Sequence, residues 1–222
     1  MISRYALYDI AGLSNRFLAA AGLPKGVKPH YNISPTISAP VVVSVDGAPV
    51  VKLMKWGLQP KGAKDTNSVF RYKTQVIPSE DVFSKHSWRL AVRESRCLVP
   101  ANGFYELNEG DEKRAFYAEP KDKSLCAYAG VYNSWQDEEG VEHGTFSIVT
   151  TMPTSDMPDT RMRMPIILAP EDEARWLDPT ITDDSSIYYM LRPNQSNLLN
   201  VYEVRPDVHS PKQNQPSLIN PL

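Results

Sequence analysis

Two cysteines and four histidines are the residues of this chain best able to do nucleophilic or metal chemistry, and neither set has the spacing for it. His30, His86, His143 and His209 lie far apart, and no Cys-x-x-Cys occurs, so no metal and no cofactor is expected. Cys97 and Cys126 each sit in an apolar run (Arg96-Cys97-Leu98-Val99 and Leu125-Cys126-Ala127-Tyr128). They read as buried, reduced strand-core thiols, a state that suits the cytoplasm. Glycine totals only 11 and forms no phosphate-cradling loop. A run of cations, Lys85, Arg89, Arg93 and Arg96, alternates with Val82, Phe83, Trp88 and Val92. That alternation reads as the solvated side of a helix rather than a ligand site. Trp56 reads as a core side chain more than as a platform for stacking a base.

The elements that must position any site are short. Nineteen prolines spread along 222 residues argue against long helices. A helix is expected from Asp9 to Ala21, capped by Asp9 and stopped by Gly22 and Pro24. Asp46-Gly47 between two apolar runs signals a hairpin of Val41–Val45 with Val50–Leu58. Ser79–Arg96 reads as one broken helix or two short ones. Strands are expected at Cys97–Leu107, Arg114–Glu119, Ser124–Trp135 and Gly144–Thr151. The turns between them are Asn108 to Asp111, Pro120 to Lys123 and Gln136 to Gly140. Pro170-Glu171-Asp172-Glu173 opens a short helix ending near Leu177, and Val201–Leu222 adds one strand and an irregular end. The sum is a single α+β domain over 1–222, a strand-rich, antiparallel, barrel-like sheet with helices packed over it. No apolar stretch approaches the ~20 residues that span a bilayer, so no membrane association is expected. A net charge of −2 excludes a globally basic nucleic-acid binder and leaves only a local basic patch.

Seven segments in a fixed order carry more information. They are Arg4-Tyr5, Tyr31–Thr36, Met54–Pro60, Arg96–Glu106, Tyr128–Tyr132, Phe146–Thr151 and Arg163–Leu168. Their order and content resemble the SOS-response-associated peptidase family over nearly the whole chain, with Cys97–Glu106 and Arg163–Leu168 the most specific parts. The resemblance implies an abasic-site chemistry in the DNA damage response. In the family, Met1 is removed and residue 2 is a cysteine. Its amine and thiol both add to the sugar aldehyde of an abasic site in single-stranded DNA and close a thiazolidine. An asparagine, a glutamate and a histidine assist. An α-amine with a pKa near ~8 is partly neutral at physiological pH, and the thiol traps the imine it forms.

Carried onto this chain, the resemblance leaves one helper in place. Glu106 matches the glutamate, although a strand glutamate that only accepts structural hydrogen bonds would look the same. Residue 2 is Ile2, the histidine position is Arg161, and the asparagine segment falls on Arg71 to Gln75. The tryptophan that follows the Trp-Gly-x-x-Pro segment in the family is Gly62 or Ala63 here. A peptidase- or lyase-like hydrolase activity is therefore expected to be impaired, as in a pseudoenzyme. The losses are also gains of charge. Arg4, Asn32, Arg71, Lys73, Arg161 and Arg163 together form a candidate DNA- or anion-binding set, since guanidinium forks grip phosphate in bidentate fashion. Three readings stay open: a non-covalent binder of single-stranded or abasic DNA, an enzyme using only its terminal amine, and an inactive paralogue binding another anionic ligand or a protein partner.

Overall fold

The Asp46-Gly47 turn does what its sequence demands. Both residues adopt left-handed backbone (φ 51° and 80°), the requirement of a two-residue hairpin turn. In the computed structural model, which describes residues 2–17, 22–59, 74–84, 86–108, 113–136, 139–157, 163–192 and 196–222, this turn joins β3 (Ser38–Val45) to β4 (Ala48–Trp56) in unbroken register from Ser38 opposite Lys55 to Val45 opposite Ala48. β3 also pairs β6 (Arg96–Ala101), β6 pairs β9 (Cys126–Gln136), and β9 pairs β10 (Glu142–Thr151). β10 returns to β4, so five strands close on themselves as a barrel. The closing β10–β4 contact is parallel, as is the pairing of β10 with β5 (Val76–Pro78). The other contacts are antiparallel.

A second sheet lies beside the barrel, in the order β12 (Leu199–Val204), β8 (Ala115–Pro120), β7 (Gly103–Leu107), β1 (Arg4–Leu7), β2 (His30–Ile33). The core fills the barrel and the space between the sheets, with Tyr5, Trp56, Tyr128, Phe104 and Phe146 almost completely buried. Each such side chain contributes roughly 1.5–3 kcal/mol by leaving water. Trp56 is thus a core residue, as its sequence context predicts. The outer face of the second sheet carries Ala6, Tyr105 and Tyr117 and is covered by residues 205–222 through Val208 and Leu218. The expected irregular end is therefore a structural cover.

Four helices pack around the sheets among the described residues: α1 (Ile10–Phe17), α2 (His86–Glu94), α3 (Pro170–Leu177) and α4 (Asp184–Met190). Asp9 caps α1 as expected, accepting from the Gly12 amide at 2.7 Å. The predicted extension of α1 to Ala21 lies outside the described residues. Ser79–Arg96 is two elements, a 3-10 turn at Ser79–Asp81 and then α2. α4 lacks the apolar periodicity that would announce it, and it starts on an Asp183 cap that accepts from the Ser186 amide.

Two expectations need correction. Cys97–Leu107 is not one strand. The chain breaks at Asn102, whose Oδ1 accepts from the amides of Tyr8 and Asp9 (2.8 and 3.0 Å), and crosses from the barrel to the second sheet. Gly103 follows because a Cβ there would lie 2.5 Å from the Ala118 carbonyl oxygen and the Tyr117 ring. Arg96 is not on the solvent face. It starts β6, is 5% exposed, and donates to the carbonyls of Val92, Arg93, Trp176 and Asp178. Lys85 lies outside the described residues.

Candidate functional site

β1 runs antiparallel to β7 with Arg4 opposite Tyr105 and Tyr5 opposite Phe104. Glu106 follows Tyr105 in β7 and pairs Phe116 of β8 on its other side. Glu106 is 8% exposed and lies on the inward face shared with Phe104. Ile2 is 2% exposed and belongs to the main core. Its hydrocarbon side chain is packed, and it offers no lone pair to a substrate. Arg4 is half-buried and bonds the carbonyls of Ser3 (2.7 Å) and His209 (3.3 Å). The same side chain therefore holds the C-terminal cover onto β1.

Tyr5 links this end to the second part of the site. Its ring meets Trp56 edge-on with centroids 5.2 Å apart. The Trp56 indole donates to the Gln75 carbonyl at 2.8 Å, and the Ile148 amide donates to the same oxygen at 3.2 Å. Residues 74 and 75 lead into β5, which pairs β10 from Ile148 opposite Val76 to Thr150 opposite Pro78. β11 (Met164–Pro165) lies on the other side of β10, with Thr150 opposite Pro165. Contacts therefore run from β7 through β1 and Trp56 to the end of β10.

Arg163 is fixed at that end. It donates to the Thr150 carbonyl (2.8 Å) and Oγ1 (3.1 Å), and it makes an ion pair with Glu80 at 2.6 Å. Its side chain is 22% exposed and that of Glu80 is 50% exposed, so water reaches the pair. Burial pushes the Glu80 carboxyl up, but hydrogen bonds from its own backbone and from Arg163, with the arginine's charge, hold it below the usual glutamate range. Sequence reasoning missed Glu80 and Thr150 because no local pattern marks a residue whose partner lies 83 or even 13 positions away.

Arg71, Lys73 and Arg161 lie outside the described residues, as does the position of Gly62 and Ala63. Asn32 is in the second sheet, fully buried, and its amide nitrogen donates to the carbonyls of Val208, Ser210 and Gln213. It ties the C-terminal cover to β2. Cys97 and Cys126 are buried free thiols. Burial alone drives Cys97 upward, and it is the main cause pushing Cys126 up to about 12. Neither is a nucleophile at neutral pH. Among the described residues no group of His, Cys, Asp and Glu could hold a metal ion, and no helix is long and apolar enough to cross a membrane.

Comparison with known proteins agrees with this architecture. A solved protein from Bacteroides thetaiotaomicron superposes with a TM-score of 0.85 at 27% identity, over 99% of each chain. Abasic site processing protein YoqW of Bacillus subtilis is 34% identical over 223 residues, covering 99% of each chain. Abasic site processing protein HMCES of Gallus gallus is 29% identical over 88% of this chain and 67% of its own. The family model for SOS response associated peptidase (SRAP) matches residues 1–211, and the chain belongs to that family.

Proposed function

We propose that this protein binds single-stranded DNA, abasic sites included, without forming the stable covalent bond that an N-terminal cysteine would make. The relatives named for abasic site processing support the DNA target. The observation that carries the non-covalent reading is Ile2, a core hydrocarbon at the position of the family's nucleophile. An amine alone gives an imine, which water reverses, and the second bond needs a thiol. Arg161 also replaces a histidine, and a guanidinium with a pKa above ~12 does not shuttle protons. Affinity comes instead from cations on phosphates, with Arg4, Arg71, Lys73, Arg161 and Arg163 as the set.

The test is a single-stranded oligonucleotide with one abasic site, run on a denaturing gel and titrated at two salt concentrations. We expect no heat-resistant shifted band and an affinity that falls steeply with salt. A stable crosslink from the unmodified protein overturns the reading. Binding that ignores salt turns the site toward another ligand or a protein partner. Ile2→Cys alone should recover little crosslinking. Ile2→Cys with Arg161→His and Arg71→Asn should recover most of it.

A further inference from the structure

Met152 is an apolar side chain on the surface with a cation for a neighbour. The residues of β10 from Thr145 to Thr151 are all buried. The next, Met152, is 53% exposed and joins neither apolar cluster of the described residues. A single exposed methionine is ordinary. What sets this one apart is that its thioether sulfur lies 3.6 Å from Nη1 of Arg163.

The guanidinium beside it is held at one edge and open at the other. Nε donates to Thr150 Oγ1 at 3.1 Å. Nη2 donates to the Thr150 carbonyl at 2.8 Å and to one oxygen of Glu80 at 2.6 Å. Among the described residues Nη1 meets only the sulfur, a weak acceptor. A phosphate that displaces the half-exposed Glu80 carboxylate gains Nη1 as well, in the two-pronged grip that a single carboxylate oxygen leaves unused. That phosphate then lies against the Met152 thioether.

The methionine is fixed at its root and free at its tip. Thr151 pairs Met164 where β10 meets β11. Pro153 follows Met152, steers it away from helical backbone and supplies no amide. The Thr154 amide then ties the chain back to Met164 Sδ at 3.4 Å. Three side-chain torsions remain, so the thioether can follow a flat ring while the backbone stays in place.

We infer that Met152 packs on a base flanking the phosphate that Arg163 holds. Single-stranded nucleic acid alternates an anionic phosphate with a flat apolar base, and this end of β10 sets a guanidinium and a thioether side by side. Sulfur against an aromatic ring is favourable. Such a contact reads no hydrogen-bond pattern, so it tolerates any base. The inference rests on the function proposed above and adds the base to the phosphate as what this end of the fold recognises.

Three variants test it. Met152→Gln keeps the length and makes the tip polar, Met152→Ala removes the tip, and Met152→Leu keeps it apolar. Affinity for a single-stranded oligothymidylate should fall about threefold to tenfold in the first two and stay within about twofold of the parent in the third. The salt slope should not change, because no phosphate contact is lost. Melting temperatures should match the parent, because the side chain is exposed. Met152→Gln and Met152→Ala should bind inorganic polyphosphate, and a strand of tetrahydrofuran abasic residues, as the parent does, since neither carries a base. Equal oligothymidylate affinity in Met152→Gln, Met152→Ala and the parent overturns the inference and leaves the proposed function standing. A loss as large on polyphosphate or on the abasic strand also overturns it, because the effect would then come through Arg163 or the sugar. If the parent binds no oligothymidylate, the proposed function fails and the inference falls with it.

Discussion

Arg96 and Arg163 stand at opposite extremes of what a cation does in this fold. Arg96 is buried at the start of β6, donates to four carbonyl oxygens, and lies 5.5 Å from the Trp176 ring centroid. Its hydrogen-bond partners are backbone carbonyls, the nearby Asp178 adds an opposite charge, and the side chain is closed off from solvent. Arg163 touches the carbonyl and hydroxyl of Thr150 and one exposed carboxylate. Under the proposed function a phosphate takes the place of that carboxylate, whose one oxygen meets Arg163 at 2.6 Å. The buried arginine holds the fold and the half-open one meets water, although both look alike as letters in the sequence.

The largest expected effect breaks the first member of this pair. Arg96→Met keeps the apolar stem and strips the donors, leaving several carbonyls without a partner. It should destabilise the protein by about 3 kcal/mol or more in urea unfolding. The salt slope of oligonucleotide binding should not change in the protein that stays folded. A loss below about 1 kcal/mol would mean that water satisfies those carbonyls.

Arg163→Ala should do the reverse. The exposed half of its pairing contributes little, so stability should fall by roughly 1 kcal/mol at most. Oligonucleotide affinity should drop about tenfold, with the salt slope reduced by about one. Equal affinity in variant and parent would remove Arg163 from the phosphate-binding set.

The smallest effect comes from Glu80→Gln, which releases Arg163 from its internal partner. Affinity should rise about twofold to threefold at neutral pH, where an exposed ion pair competes weakly. The pH dependence follows from the lowered carboxyl pKa of Glu80. A carboxylate whose pKa is depressed on folding stabilises fully above its unfolded value. That contribution is lost as the pH falls through the lowered, folded value. The stability difference between parent and Glu80→Gln should therefore vanish in acid, which melting curves from neutral pH downward would reveal. A difference that persists in acid would assign it to packing instead of charge.

Much of the fold is legible in local patterns because local physics decides it. Asp46-Gly47 can close only one kind of turn, Asp9 supplies the cap that α1 needs, and apolar runs mark β9 and β10. The ordered segments carry the family. Reading fails where one residue serves two distant partners. Asn102 splits what looks like one strand because Tyr8 and Asp9 claim its side chain. Asn32 lies in a segment typical of the family, yet its amide belongs to residues 208–213.

By itself the sequence determined the hairpin at Asp46-Gly47, the cap of α1, the family, and an isoleucine at residue 2, since each depends only on the identity and order of residues. Tertiary structure alone decided which charges are available. Whether an arginine faces carbonyls or water, and whether the Asp156 carboxylate finds the amides of residues 197–199 or solvent, depends on groups 41 to 83 residues away. Burial and partner geometry set the strength of a charge, and neither is written in any local run of residues.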